Sequence, residues 1–178
     1  MNTPSIPLFQ GGRWTARRVS EADIPAIEDL LTSGRDFLEL VSGSVEIAAE
    51  TKAFLSELPP GKTIADKYSL GIAEESDRLV GILDAIRDYP DPGIWWIGLL
   101  LLRPEARGRG LGAQILDGFS DIAGRCGAHE MRLGVVETNP AGLRFWQRMG
   151  FTEISRRPPV RFGEREQIVI VMQKGLKA

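Results

Sequence analysis

The sequence is poor in the side chains that carry disulfide, redox and metal chemistry: its 178 residues include one cysteine and one histidine. The lone cysteine, Cys126, excludes an internal disulfide and suits a reducing compartment, and we expect it to be a small buried residue. The lone histidine, His129, has no second ligand at metal-binding spacing, so no metal is predicted. No apolar run reaches the roughly 18–20 residues of a membrane span.

The charge balance excludes a second group of functions. The chain has 22 basic and 24 acidic side chains, a formal net charge of −2, and therefore lacks the basic excess typical of nucleic-acid binding. Its first residues, Met1–Gln10, lack the basic start and apolar core of a secretory signal. We therefore expect a soluble, cytoplasmic protein, one ordinary domain in length, that binds neither nucleic acid nor membrane.

What the sequence does contain is an apolar run followed by a glycine-rich turn. The run Ile94–Leu102 predicts a strand buried on both faces, and Pro104 should end its hydrogen-bond ladder. The turn Arg107–Gly112 follows, with three glycines and two arginines, and leads into a helical pattern. Glycines permit close approach of the backbone, and free N–H groups at the positive end of a helix bind anions. The turn therefore predicts a site for a phosphate-bearing cofactor.

The rest of the chain predicts a mixed α/β sheet. Three strands joined by short turns indicate an antiparallel meander, because parallel neighbours need a crossover connection, and the strand–helix–strand segment that follows indicates one parallel pair. A ligand is expected at the carboxyl ends of the central strands. The predicted elements around the central strand are a strand at Arg13–Val19, a capping box at Ser20–Asp23 that opens a helix ending at Gly34, a helical region at Asp36–Leu58 with a break near Gly43, strands at Tyr68–Glu74 and Leu79–Ile86, a helix at Gly110–Arg125, a strand at Met131–Glu137, a helix at Asn139–Met149, and a hairpin of Phe151–Ile154 and Ile168–Met172 with an exposed tip at Arg156–Glu166.

Two motifs resemble those of a known family. Arg107-Gly108-Arg109-Gly110-Leu111-Gly112 matches the cofactor signature Arg/Gln-x-x-Gly-x-Gly/Ala in full. Residues 139–151 contain an asparagine, a short helical segment, an aromatic pair and Gly-Phe. Together these motifs resemble the GNAT-type, acyl-CoA-dependent N-acetyltransferases. The resemblance implies a GNAT fold over a single domain, 1–178 with a core at about 13–173: a mostly antiparallel central sheet with a parallel, splayed central strand pair flanked by helices.

The resemblance also implies roles for particular residues in binding acetyl-CoA. The amides of the turn would hold the pyrophosphate, the backbone of the central strand would pair with the pantetheine arm, Asn139 would contact that arm, and an aromatic pair would pack near the thioester. Plain core packing remains an alternative for the leucines and for the aromatic pair. The residues implied are Leu100, Leu101, Leu102, Arg107, Gly108, Arg109, Gly110, Leu111, Gly112, Asn139, Phe145 and Trp146.

The catalytic groups depart from the family pattern. Trp146 stands where the family commonly has a tyrosine that protonates the departing thiolate, and indole cannot do so. That loss is small, because a free thiolate lies only about 2 kcal/mol uphill at pH 7, whereas deprotonating an ordinary primary amine costs about 4–5 kcal/mol. A base should therefore matter more, yet Ile94–Leu102 contains neither histidine nor glutamate. Asp84 and Glu137 are the candidate bases, with solvated or capping roles as alternatives.

These features predict an N-acetyltransferase that moves an acetyl group from acetyl-CoA to a primary amine by direct attack in a ternary complex. The acceptor, a small molecule or a peptide, is expected between Ser33–Val45 and the tail hairpin, whose arginines could form an anionic-substrate patch. Acyl preference and homodimer formation stay open. Two alternatives remain: a non-catalytic acyl-CoA-binding module on the same fold, and a dinucleotide-dependent oxidoreductase, because residues 108–113 also read G-x-G-x-x-A and Glu137 ends the next strand.

Overall fold

The computed structural model describes residues 8–176 and contains one mixed sheet flanked by helices. Short 3-10 turns precede α1, β3 and the glycine-rich turn. The elements in chain order are β1 (Phe9–Gly11), β2 (Trp14–Arg18), α1 (Ile24–Ser33), α2 (Arg35–Ser42), α3 (Ile47–Ser56), β3 (Lys67–Glu74), β4 (Leu79–Ile86), β5 (Ile94–Leu102), α4 (Leu111–Arg125), β6 (Glu130–Val136), α5 (Pro140–Arg148), β7 (Thr152–Phe162) and β8 (Arg165–Gly175).

The eight strands are ordered β1-β2-β3-β4-β5-β6-β8-β7. Every neighbouring pair is antiparallel except β5 and β6, which are parallel and joined through α4. This confirms the predicted meander and the predicted parallel pair. The predicted capping box is also present, since Ser20 and Asp23 bond each other's backbone reciprocally before α1.

Two apolar clusters cover the two faces of the sheet. On one face Trp95 and Phe119, both fully buried, belong to the cluster formed with α4. On the other face Ile27, Leu30 and Ile82 belong to the cluster formed with α1 to α3. No helix in the part of the chain that the structure describes is long and apolar enough to cross a membrane.

The tail hairpin differs most from the sequence prediction. Its strands, β7 and β8, run for 11 residues each, and only Gly163 and Glu164 lie between them, so the predicted tip at Arg156–Glu166 is exposed as expected but consists mostly of strand. The reason is that β7 is an edge strand whose side chains are almost all exposed, so it has no alternating apolar pattern to detect. Its prolines fall where the β7–β8 register shifts, as is usual for an edge.

Two smaller expectations also need correction, and the short strand β1 was not predicted. Cys126 is exposed just past the end of α4 rather than buried. The central strand is not buried on both faces along its length: Ile94, Trp95, Ile97 and Leu101 are buried, but Gly98 is exposed and Trp96, Leu99, Leu100 and Leu102 are half-buried.

Candidate active site

The two central parallel strands separate halfway along their length. The β5–β6 ladder begins at Ile94–Glu130 and ends at Ile97–Leu133. Beyond that point β5 continues to Leu102 paired only with β4. Gly98 on β5 and Gly134 on β6 are exposed although both strands lie inside an eight-stranded sheet. The separation therefore opens a cleft with glycines on its floor, and the β6-facing edge of residues 98–102 is left without a strand partner.

The glycine-rich turn lies at the end of this open edge. Gly108 and Gly110 have positive φ angles of 72° and 81°, and Gly110 is the left-handed residue that precedes α4. Within residues 8–176 the backbone N–H groups of Gly108, Arg109 and Gly110 have no hydrogen-bond partner. A Cβ built at either glycine would meet nothing within 4 Å. Unpartnered amides at a helix N-terminus, in a turn whose two glycines have open space where a side chain would lie, are the donor set that a phosphate group requires.

The two arginines of the turn differ in their hydrogen-bond and ion-pair partners. Arg107 donates from Nη1 and Nη2 to the carboxylate of Asp36 at 2.6 and 3.1 Å, and from Nε to the carbonyl of Leu102 at 2.9 Å. This ion pair lowers the pKa of Asp36 and ties α2 to the turn. Arg109 is exposed and has no ion-pair partner in the described part of the chain. The cation that remains available beside the amides is therefore Arg109.

The second motif packs against the first. A Cβ at Gly112 would come within 3.2 Å of the ring of Phe145, so the first turn of α4 and the face of α5 are in close contact. Phe145 and Trp146 stack edge to face with ring centroids 4.9 Å apart. Both rings are half-buried, and Trp146 also contacts Phe151. Asn139 accepts a hydrogen bond from the amide of Gly142 at 2.9 Å and caps α5.

The two candidate bases have different environments. Asp84 lies on β4 with its side chain 17% exposed, and its Oδ1 is 2.7 Å from the Nζ of Lys67, which is 2% exposed. Burial raises the pKa of Asp84, and Lys67 opposes that rise. Glu137 follows β6, is exposed and forms an ion pair with Arg156. Only Asp84 therefore has the desolvated environment typical of a catalytic carboxylate.

Asp84 also lies against the cleft floor. Its strand pairs with β5 at Leu99, and the register shifts at the next residue, so that Gly98 is the extra residue of a β-bulge. A Cβ at Gly98 would lie 2.8 Å from Oδ2 of Asp84. The carboxylate therefore occupies the space that a side chain at position 98 would fill, at the point where the central strands separate.

The tail hairpin and α2 are in direct contact. Gln167, which is buried, donates to the carbonyls of Leu40 and Val41 at 3.0 Å each, and the amide of Glu164 donates to the carbonyl of Ser42 at 2.8 Å. These bonds satisfy carbonyls in the last turn of α2. The predicted acceptor region, between 33–45 and the tail hairpin, is thus bounded by two elements in direct contact.

Two further clefts are present among the described residues. One of them, of about 560 Å³, lies on the α1–α3 side of β2 and β3 and is lined in part by Lys67. Another, of about 490 Å³, lies at the β1–β2 turn. In residues 8–176 no three His, Cys, Asp or Glu side chains are grouped to hold a metal ion. Sequence reasoning missed Lys67 and Gly98; the signals present were a lysine at the start of a largely apolar strand and a glycine interrupting the apolar run.

Comparisons with known proteins identify the family. A model of the acetyltransferase (GNAT) family matches residues 38–151, and the chain therefore belongs to that family. This membership, with a mostly antiparallel sheet, excludes the dinucleotide-dependent alternative.

Individual relatives are more distant. The chain is 38% identical over 59 residues to the L-methionine sulfoximine/L-methionine sulfone acetyltransferase of Salmonella typhimurium, a match that covers 33% of this chain and 34% of that one. The chain thus spans about a third of the length of this curated relative. The fold is similar to an acetyltransferase from Thermus thermophilus (TM-score 0.73, 21% identity, covering 96% of this chain and 100% of that one). It is also similar to the spermidine N-acetyltransferase from Vibrio cholerae in complex with CoA and spermine (TM-score 0.70, 15% identity, covering 92% and 96%).

Proposed function

We propose that this protein is an N-acetyltransferase that uses acetyl-CoA to acetylate the primary amine of a small molecule by direct attack in a ternary complex. The observation that carries the proposal is the set of unpartnered amides at Gly108, Arg109 and Gly110, in a turn with open space at its two glycines that follows the free edge of β5. Family membership supports a transferase, and the acceptors named for its relatives include amino-acid analogues and spermidine.

The residues of the turn fit the cofactor that the family uses. The amides of residues 108–112 would bind the diphosphate, with Arg109 as an additional cation. Backbone groups of Leu100 and Leu101 on the edge that β6 leaves free would pair with the amides of the pantetheine arm, while the carbonyl of Leu102 already accepts from Arg107. Acetyl-CoA supplies the activated acetyl group.

The chain's own chemistry is proton removal and positioning. We propose Asp84 as the general base: it accepts a proton from the incoming amine at Oδ2, the oxygen next to Gly98. Burial raises the pKa of this carboxyl toward the range in which a base is effective near neutral pH, and Lys67 holds the other oxygen. Backbone N–H groups of the free β5 edge would polarise the thioester carbonyl, so that most of the rate comes from orientation.

Acetyl-CoA binding tests the first part of the proposal. Gly110→Asp places bulk and negative charge among the amides; losing two charge-assisted hydrogen bonds should weaken binding about 10²–10⁴-fold. Gly61→Asp is the matched control, because Gly61 has a φ of 80° and the same open surroundings but lies in a different turn. Calorimetry with acetyl-CoA should show the loss in the first variant only; equal affinity in the two variants would refute the site.

Release of CoA thiol in the presence of a panel of amines tests the second part. Asp84→Asn should lower kcat by about 10²–10⁴-fold without changing acetyl-CoA affinity, the range usual for a general base. Glu137→Gln is its control and should leave turnover unchanged, because Glu137 is exposed and paired with Arg156. Tight binding with no thiol release for any amine would instead favour a non-catalytic acyl-CoA-binding module, the alternative suggested by Trp146 at the position of the usual tyrosine.

A further inference from the structure

Arg157 differs from the other arginines of the tail hairpin in what its guanidinium contacts. Arg156, Arg161 and Arg165 each donate hydrogen bonds within the fold, the first to carboxylates and the other two to backbone carbonyls. The guanidinium of Arg157 instead lies over the indole ring of Trp96, 5.2 Å from its centroid. In residues 8–176 no carboxylate lies within 4 Å of it. Arg157 is therefore a cation held on an aromatic surface, with its hydrogen-bonding edge uncommitted.

Its position is at the open cleft. Trp96 lies two residues before Gly98 on β5 and beside Gly134 on β6: a Cβ at Gly134 would be 3.7 Å from the indole Cζ2. The same Cβ would be 2.8 Å from Val169, the residue that pairs with Arg157 across the hairpin. The absence of a side chain at Gly134 thus lets the hairpin bring a guanidinium over the cleft floor.

Three carboxylates at the cleft are committed to ion pairs with basic side chains, and these pairs are Asp84 with Lys67, Asp36 with Arg107, and Glu137 with Arg156, which Glu153 shares. Recognition of a polycation such as a polyamine usually relies on uncompensated negative charge, and Asp84 and Asp36 do not provide it. The guanidinium of Arg157, by contrast, has no ion-pair partner in residues 8–176, so it supplies an uncommitted positive charge beside the cleft.

We infer that the acceptor carries a carboxylate next to its amine and that Arg157 binds this carboxylate. The substrate class is then amino acids or closely similar amino carboxylates; this inference rests on the proposed function and concerns the same cleft. A planar guanidinium binds a carboxylate through two parallel hydrogen bonds, and stacking on Trp96 fixes its orientation beforehand. Asp84, across the floor from Trp96, would face the amine end of the same molecule.

Matched acceptors provide the test. For each of several side chains, acetylation of the amino acid is compared with acetylation of its amide and of its decarboxylated amine, for example leucine, leucinamide and 3-methylbutylamine, with spermidine as a polycation. The amino acid should exceed the other two in kcat/KM by at least about tenfold. The amide has the most readily deprotonated amine, so chemical reactivity alone would make it the best acceptor of the three. A higher kcat/KM for the amide than for the amino acid would therefore overturn the inference. Preference for spermidine would overturn it as well.

Variants then assign the effect to the residue. Arg157→Gln should raise the KM for the amino acid about 10–100-fold while the KM for acetyl-CoA and the activity on the amide stay the same. Arg157→Lys should retain part of the affinity, and Arg161→Gln on the same strand should have no effect. An unchanged amino-acid KM in Arg157→Gln would refute the role of the residue.

Binding separates this inference from the proposed function. If no acceptor of any kind releases thiol, the proposed function fails, and calorimetric titration of amino acids into the CoA-loaded protein still reports on the cleft. Binding of amino acids that Arg157→Gln abolishes would support carboxylate recognition by itself. No binding, or binding indifferent to that change, would overturn it.

Discussion

The ion pair between Lys67 and Asp84 makes a prediction that can be worked through in free energy. Lys67 is 2% exposed, its Nζ lies 2.7 Å from Oδ1 of Asp84, and it also donates to the carbonyl of Glu57 at 3.0 Å. Lys67→Met keeps most of the volume and removes the charge. Asp84 is then a desolvated carboxylate without its cation, and its pKa, already raised by burial, should rise further.

The expected loss of stability depends on pH. Removing one partner of a buried ion pair costs about 3–5 kcal/mol. The carboxyl can limit this cost by taking up a proton, which for an ordinary aspartate costs about 4 kcal/mol at pH 7 and about 1.5 kcal/mol at pH 5. A folded-state pKa above the unfolded value means that the native state binds more protons, so stability falls as pH rises from the ordinary aspartate value to the raised one. The variant should therefore lose about 3–4 kcal/mol at pH 7 and clearly less at pH 5.

Urea unfolding of four proteins at the two pH values would measure this: wild type, Lys67→Met, Asp84→Asn and the double variant. The double variant contains neither charge and should recover much of the stability that each single variant loses. In activity assays, kcat should increase with pH as the base loses its proton, and this increase should occur at higher pH in Lys67→Met than in wild type. A loss that is the same at pH 5 and pH 7, or additive losses in the double variant, would refute the coupling of these two groups.

Two further changes test the cleft and its boundary. Gly98→Ala should lower kcat about 10–100-fold with unchanged acetyl-CoA affinity, because the new methyl group lies 2.8 Å from Asp84 and displaces the carboxylate; Gly124→Ala, where a Cβ meets nothing within 4 Å, should leave kcat unchanged. Gln167→Ala should lower the free energy of unfolding by about 2–3 kcal/mol, measured by urea, because Thr138 loses its partner and two carbonyls of α2 lose their donor.

The sequence was sufficient for the parts of the fold whose signals are local. Helical spacing with a capping box located α1, and the apolar run broken by Arg103-Pro104 located the end of β5 at Leu102. The glycine-rich turn was predicted to precede a helix, and Gly110 is the left-handed residue that does so. In each case a short segment carries its own physical reason, such as a cap, a missing donor or a positive φ.

Features that depend on partners distant in the sequence were not predictable in this way. The length of β7 is set by pairing with β8, and an edge strand of arginines and prolines has no pattern that distinguishes it from a loop. Which of two carboxylates is desolvated likewise depends on the packing of Lys67, which lies on the neighbouring strand. The family resemblance did not identify the base, because the central strand Ile94–Leu102 contains neither histidine nor glutamate.

The absence of a side chain at Gly98 is what allows Asp84 to serve as the base. If β5 had a side chain at position 98, Asp84 could not place Oδ2 where it lies, and if β4 and β5 kept regular pairing, Gly98 would not be the extra residue of a bulge beside it. The carboxylate on β4, the glycine on β5 and the lysine on β3 therefore form one arrangement across three strands, on the face where β6 separates from β5. Asp84 can act as the base only if Lys67 holds one of its oxygens and Gly98 leaves room for the other. The effects of changing Lys67, Asp84 and Gly98 on kcat should therefore be strongly non-additive. Independent effects at the three positions would mean that the proton leaves the amine by another route.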